Sequence, residues 1–428
     1  MSEMSQPTQH AREELDPQIV RKRFRIWMLS LLVALIAGGG AIIYRMVEGL
    51  SVTNLSTFVP WGAWVAFYIF FVGLSAGAFL LSTLIFVFGM EQYERVGRYA
   101  LFTALVSMIV ALSFIALDLG RMDRALNAMT YWNALSVLSY EVRFYLVYMV
   151  LLAVELWFAM RIDLIRLAKE DQGMKGKVAN AIRLGSDDSS DNAKKKDHRW
   201  MKILGILGIP IAIIGVHGGT GTLFAAVAAQ PYWNSPLFPV IFVVSALVSG
   251  TALLIAMYVI QQKARGKDVD FGMVKSLSML MIAFLIIDLG LEFYEFLVAG
   301  LTMKPEKLAI LNVMFTGPMA WSFWGVQLFI GAVLPIFILF NKRFNQSTGW
   351  LTAAAIMVVI GIIGVRFNIV VPTQIVQSMK ELPNAFYFPN WVEWLSSIGV
   401  VAMGLLIYSI GAKFLPLELN EDEVNSHE

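Results

Sequence analysis

The chain has 428 residues, of which 58% are hydrophobic and 15% charged, and its formal net charge is +2. Soluble domains carry about one-quarter charged residues, so this composition, with a mean hydropathy of +0.67, excludes an ordinary soluble domain and predicts an all-α integral membrane protein. The absence of cysteine excludes disulfides and any iron–sulfur cluster held by thiolates of this chain.

In chain order, residues 1–25 form a polar tail ending in Arg21-Lys-Arg-Phe-Arg25, with no cleavable signal peptide expected. About ten apolar spans follow, each long enough to cross a bilayer. They fall near 26–48, 61–89, 99–118, 140–161, 201–229, 236–261, 275–299, 317–340, 350–371 and 391–412. Lys and Arg crowd the amino-terminal tail, the 162–199 link (Lys169, Lys175, Lys177, Lys194, Arg199) and the link between spans 6 and 7 (Lys263, Arg265, Lys267). The opposite side holds only Arg45, Arg121, Arg124, Lys304, Lys307 and Lys380. The positive-inside rule then places both termini in the cytoplasm. The bacterial inner membrane is the expected location. The 162–199 link, with Ser186-Asp-Asp-Ser-Ser-Asp191, reads as a mobile, solvated loop.

An internal repeat organises the spans. Gly73-Leu-Ser-Ala-Gly77 resembles Ala246-Leu-Val-Ser-Gly250, Asp118-Leu-Gly120 matches Asp288-Leu-Gly290, and Ile213-Ile-Gly-Val-His217 matches Ile362-Ile-Gly-Val-Arg366. Copies four spans apart share one topology, so they form a parallel repeat. The expected architecture is two parallel four-helix bundles, residues 61–229 and 230–371. One helix flanks them at each end: the first with its outer loop in 26–60, the last with an outer loop in 372–412, before a cytoplasmic tail at 413–428.

His217 is the one histidine inside an apolar span. An intramembrane ionisable group is a functional candidate by default, and imidazole can both bind a carbonyl oxygen and relay a proton. It reads as a ligand to a quinone oxygen or as a structural histidine bonded to a backbone carbonyl. A bis-histidine haem needs two such residues, so haem b is not expected. Asp118 pairs with Arg121 or Arg124, or belongs to a site. Glu141 and Arg143 are two apart and point to different sides of a helix. Asp288 and Glu292 share a helix face, and with Arg366 they make a proton relay or a neutralised ion cluster. Glu155 extends the polar line towards the cytoplasm, or packs beside Trp157. Apart from Asp288 near mid-span and Glu155 deeper, these groups fall in the outer half of the spans, so a redox partner would dock on the periplasmic face.

With Gly73-Leu-Ser-Ala-Gly-Ala-Phe-Leu-Leu81, Asp118-Leu-Gly-Arg121, Val216-His-Gly-Gly219, Gln230-Pro-Tyr-Trp-Asn234 and Val365-Arg-Phe-Asn368, the sequence resembles the membrane subunits of the polysulfide-reductase, or NrfD-like, family. The ten spans are similar to its ten-helix branch, which includes subunits of periplasmic hydrogenases, menaquinone reductases and alternative complex III. The resemblance implies a haem-free site for menaquinone or ubiquinone near the periplasmic side of the first bundle. It also implies a periplasmic iron–sulfur subunit, with further redox subunits, as electron partner; nothing points to nucleic acid. On that pattern Asp118 and His217 contact the quinone, with Tyr140 and Glu141 nearby. Arg366 stands where the repeat has its histidine, so the second bundle is expected to hold no quinone and to carry protons through Asp288, Glu292 and Arg366. The rival readings are a secondary transporter and a purely structural membrane anchor.

Overall fold

The computed structural model describes residues 17–90, 93–133, 135–376 and 385–418. Lys380 and most of both tails lie outside them. Ten helices among the described residues are long and apolar enough to span a membrane. We label them α1 (Pro17–Glu48), α2 (Ala63–Phe86), α3 (Glu94–Asp118), α4 (Val137–Glu170), α5 (Asp191–Ala225), α6 (Phe238–Ala264), α7 (Phe271–Leu301), α8 (Trp321–Phe340), α9 (Thr348–Ile375) and α10 (Trp391–Phe414). The protein is an all-α, multi-pass membrane protein, as its apolar spans predict.

Helix starts follow local capping chemistry. Ser136, Ser190 and Asp270 accept the backbone N–H three residues on, opening α4, α5 and α7. Asn390 and Glu393 form a reciprocal capping box at α10. Between lipid-solvated helices apolar burial drives little, so association depends on close packing through small residues. Three glycine pairs provide it: Gly77 with Gly250, Gly331 with Gly361, and Gly38 with Gly399. A Cβ on Gly77 would overlap the Ala246 carbonyl. The repeated glycine motif is therefore where α2 and α6 cross. Buried on nearly every side, α2 packs most heavily against α3 and α6, and also meets α5 and α9. α1 pairs with α10, which leans on α3.

One end of the helices carries Trp61, Trp132, Trp233, Trp321 and Trp391, and the other carries the lysine- and arginine-rich segments. We call them the tryptophan-rich and basic faces. The 162–199 link corrects the expectation of a mobile loop. α4 runs on to Glu170, a short helix spans Met174–Ile182, and α5 begins at Asp191. Some of its charges are paired, while its lysines stay exposed. Arg161 binds Asp197 at 2.7 Å and donates to the Ser186 hydroxyl at 2.6 Å and the Asp188 carbonyl at 3.0 Å. The Trp157 indole donates to Ile182 O at 2.9 Å.

Candidate functional site

Pro210 lies inside α5 and has no N–H to give the helix. The next turn, Ile211–His217, widens to a π-helix, a form that recurs at functional sites. Gly218 permits it, since a Cβ there would overlap Ile213 O. The turn delivers His217, fully buried, against α2, α6 and α9. There it meets Arg366, its own counterpart in the repeat: Nη2 of Arg366 lies 3.4 Å from Nε2 of His217. Arg366 can donate only to an unprotonated Nε2, which leaves the ring proton on Nδ1. Nδ1 makes no hydrogen bond of normal geometry, although the Phe242 main chain lies close enough to act on the ring.

Gly73 of α2 makes room for this contact. A Cβ there would sit 3.1 Å from His217 Cε1 and 3.6 Å from Arg366 Nη2. Arg366 also donates to the Ser245 hydroxyl, and its guanidinium lies 4.6 Å from the centre of the Phe242 ring. Its Nε and Nη1 have no hydrogen-bond partner, but Asp288 and Glu292 of α7 lie within its electrostatic reach. Glu292 accepts from Gln327 at 2.9 Å, and Gln327 in turn accepts from Asn368 at 2.7 Å. A cavity of about 20 Å³ opens beside Glu292, Glu295, Gln327 and Asn368, room for about one water.

A second polar line runs down α4. Glu141, Tyr145, Tyr148 and Glu155 recur at helical spacing on one buried face. Tyr68 donates to Glu141 at 2.7 Å, Tyr145 donates to the same carboxylate, and the Tyr145 hydroxyl lies 2.8 Å from that of Thr220. Thr220 is one turn beyond His217, so Glu141 and His217 share a neighbourhood. Deeper, Tyr148 donates to Ser75 O at 3.0 Å. Glu155 is fully buried near Gly205 and Thr83, with neither oxygen hydrogen-bonded. Arg143 points away from Glu141, donating to Met129 O and covering Trp132. Tyr140 is 42% exposed and packs edge-on to Trp132, apart from the Glu141 cluster.

Asp118 lies elsewhere. Arg121 binds Asp123 at the surface, at 2.9 and 2.8 Å, so of the two alternatives for Asp118 the pairing with Arg121 is not the one formed. The charges beside Asp118 are Arg45 of α1 and Glu393 of α10. Buried Arg45 donates to Leu119 O and lies over Trp64. Glu393 accepts from the Asn54 and Asn390 N–H groups at 3.1 Å each, and from the Tyr387 hydroxyl. Asp118 Oδ1 and Arg45 Nε are buried with no hydrogen-bond partner among the described residues.

Asp118 and His217 do not converge. Asp118 lies within electrostatic reach of Tyr387, whose hydroxyl accepts from the N–H of Ala63, whereas His217 faces Gly73. Ten residues of α2 separate those levels, about 15 Å. They also lie on different sides of α2. Phe67 and Phe71 stack on Phe114 of α3, and Phe71 is turned about 200° from Gly73. One quinone ring cannot touch both residues.

The sequence reading missed Arg45 and Glu393. Their signal was two opposite charges at matching ends of the first and last spans, both outside the repeat.

Ionisable groups held against one another inside the bundle, away from lipid, define a polytopic membrane protein with internal charge sites. The protein belongs to the NrfD polysulphide reductase family, whose model matches residues 51–377. It is 37% identical to a selenate reductase subunit from Mesobacillus selenatarsenatis, over 94% of this sequence and 96% of that one. Identity is 24% with the integral membrane subunit of menaquinone reductase from Nitratidesulfovibrio vulgaris, over 94% of each sequence. With a polysulfide reductase subunit from Wolinella succinogenes it is 25%, over 73% of this sequence and 93% of that one. The expected family is the one found. Helices α1 and α10, which carry Arg45 and Glu393, lie outside the matched 51–377.

Proposed function

We propose that this protein is the quinone-reactive membrane subunit of a respiratory oxidoreductase, exchanging two electrons and two protons with menaquinone or ubiquinone. The relatives named for menaquinone and for selenate or polysulfide reduction support that class. In this reading the tryptophan-rich face is periplasmic, both termini are cytoplasmic, and an iron–sulfur subunit docked on that face passes electrons to or from the quinone. The protein's own residues bind the ring and handle its protons.

The observation that carries the placement is Asp118 with Arg45: two opposite charges within electrostatic reach of each other at one end of the bundle, each with a buried polar atom that has no hydrogen-bond partner among the described residues. A buried unmade hydrogen bond is costly, and a quinone carbonyl or its hydroxyl form can use both groups. Arg45 donates to the ring oxygen. Asp118 gives up or accepts the proton there and is close enough to the tryptophan-rich face to exchange it outward. His217, Arg366, Asp288 and Glu292 form an inner charge relay, and Glu141 with Glu155 forms a second line towards the basic face. These inner groups serve proton movement.

Asp118→Asn keeps the shape and removes the acid–base function. We expect quinone turnover to fall by about a hundredfold or more, the scale of a lost general acid–base group, with partner subunits still bound. Near-normal turnover would move the ring inward to His217 and Glu141. Loss of the partner subunits together with turnover would favour a structural anchor.

A further inference from the structure

The helices outside the family match do more than flank the core. Between α1, α2 and α10 runs a lateral groove of about 230 Å³. Its walls are Leu31 and Ala34 of α1, Phe67 of α2, and Ile398, Val401 and Leu405 of α10. Trp394 stands at one end, edge-on to Phe67 and stacked on Phe367. Ser397, which also lines it, spends its hydroxyl on the Glu393 carbonyl at 2.6 Å. The groove therefore presents apolar surface, with no charged residue in its wall.

Its position sets the occupant. Trp394 adjoins Glu393, and Phe67 stacks on Phe114, one turn before Asp118 on α3. From Trp394 to Leu405 the groove follows eleven residues of α10, about 16 Å along the bilayer normal. Its upper end thus lies one helical turn from the Asp118–Arg45–Glu393 cluster. We infer that this groove, built by the two appended helices, seats the isoprenoid tail of the quinone whose ring sits at Asp118 and Arg45. The inference rests on the functional reading above. A tailed, water-insoluble substrate needs a lateral way in from lipid, and here the apolar groove ends at Trp394, the residue next to Glu393 of the charged cluster. The same helices that form the channel also bring Arg45 and Glu393 to Asp118, so head site and tail site arise together.

The test compares two naphthoquinols with one headgroup, one carrying a long isoprenoid tail and one carrying none. The wild-type complex should prefer the tailed substrate, read as the ratio of kcat/KM values. Ala34→Phe, at a half-exposed position, fills the groove and should reduce that preference about tenfold, the worth of roughly two displaced methylenes. Ile398→Ala strips apolar wall from an exposed position and should shift the preference in the same direction, which guards against misfolding of the first variant. An unchanged preference in both variants overturns the proposal. So does loss of a co-purifying phospholipid with unchanged preference, which would give the groove to an acyl chain. No turnover of either quinol by the wild-type complex would instead overturn the functional reading.

Discussion

Arg366 is the residue at which the two halves of the repeat meet. It faces His217 on one side and Asp288 and Glu292 on the other. Removing one partner of a buried charge group leaves the others uncompensated, at about 3–5 kcal/mol. Arg366→Gln should therefore lower the thermal midpoint of the purified protein strongly. Adding Asp288→Asn should recover part of the loss, because residues sharing one network are not additive. Equal, additive losses would show that Arg366 does not neutralise that carboxylate. The matching Ile-Ile-Gly-Val motifs put His217 and Arg366 at corresponding places in the sequence. That they touch depends on how closely the halves cross, which no single-residue pattern encodes. Asp118 was legible as a buried acid, but its partners were not, because Arg45 and Glu393 come from opposite ends of the sequence.

At the scale of elements, span length and apolarity made the ten helices readable. The π-helical turn before His217 was less so: Pro210 and the glycines mark an irregularity without giving its form. The 162–199 link was expected as a loop because its polar, charged composition carries no apolar period, yet much of it is helical. The glycine motif carries a direct prediction. Gly77→Leu places a side chain into the α6 backbone and should cost at least the ~1–3 kcal/mol of ordinary overpacking, seen as poor accumulation and a lowered thermal midpoint. Gly39→Leu, where an added Cβ meets nothing within 4 Å, should stay within about 0.5 kcal/mol. Equal tolerance at both sites would contradict a tight α2–α6 crossing.

At the scale of the molecule, the family-matched segment 51–377 holds the buried charge group of His217, Arg366, Asp288 and Glu292. The appended α1 and α10 complete a charged cluster at the tryptophan-rich end. The two sets of ionisable groups are separated by about 15 Å along α2, so under the proposed function quinone chemistry and proton movement need not share residues. The measurement that tests this division most directly is the quinone content and redox response of the purified complex, compared between Asp118→Asn and His217→Ala. We predict extractable quinone in the wild type and in His217→Ala, and loss of quinone reactivity in Asp118→Asn with the partner subunits still bound. Quinone lost from His217→Ala but retained and reactive in Asp118→Asn, or absent from the wild type, would contradict the account.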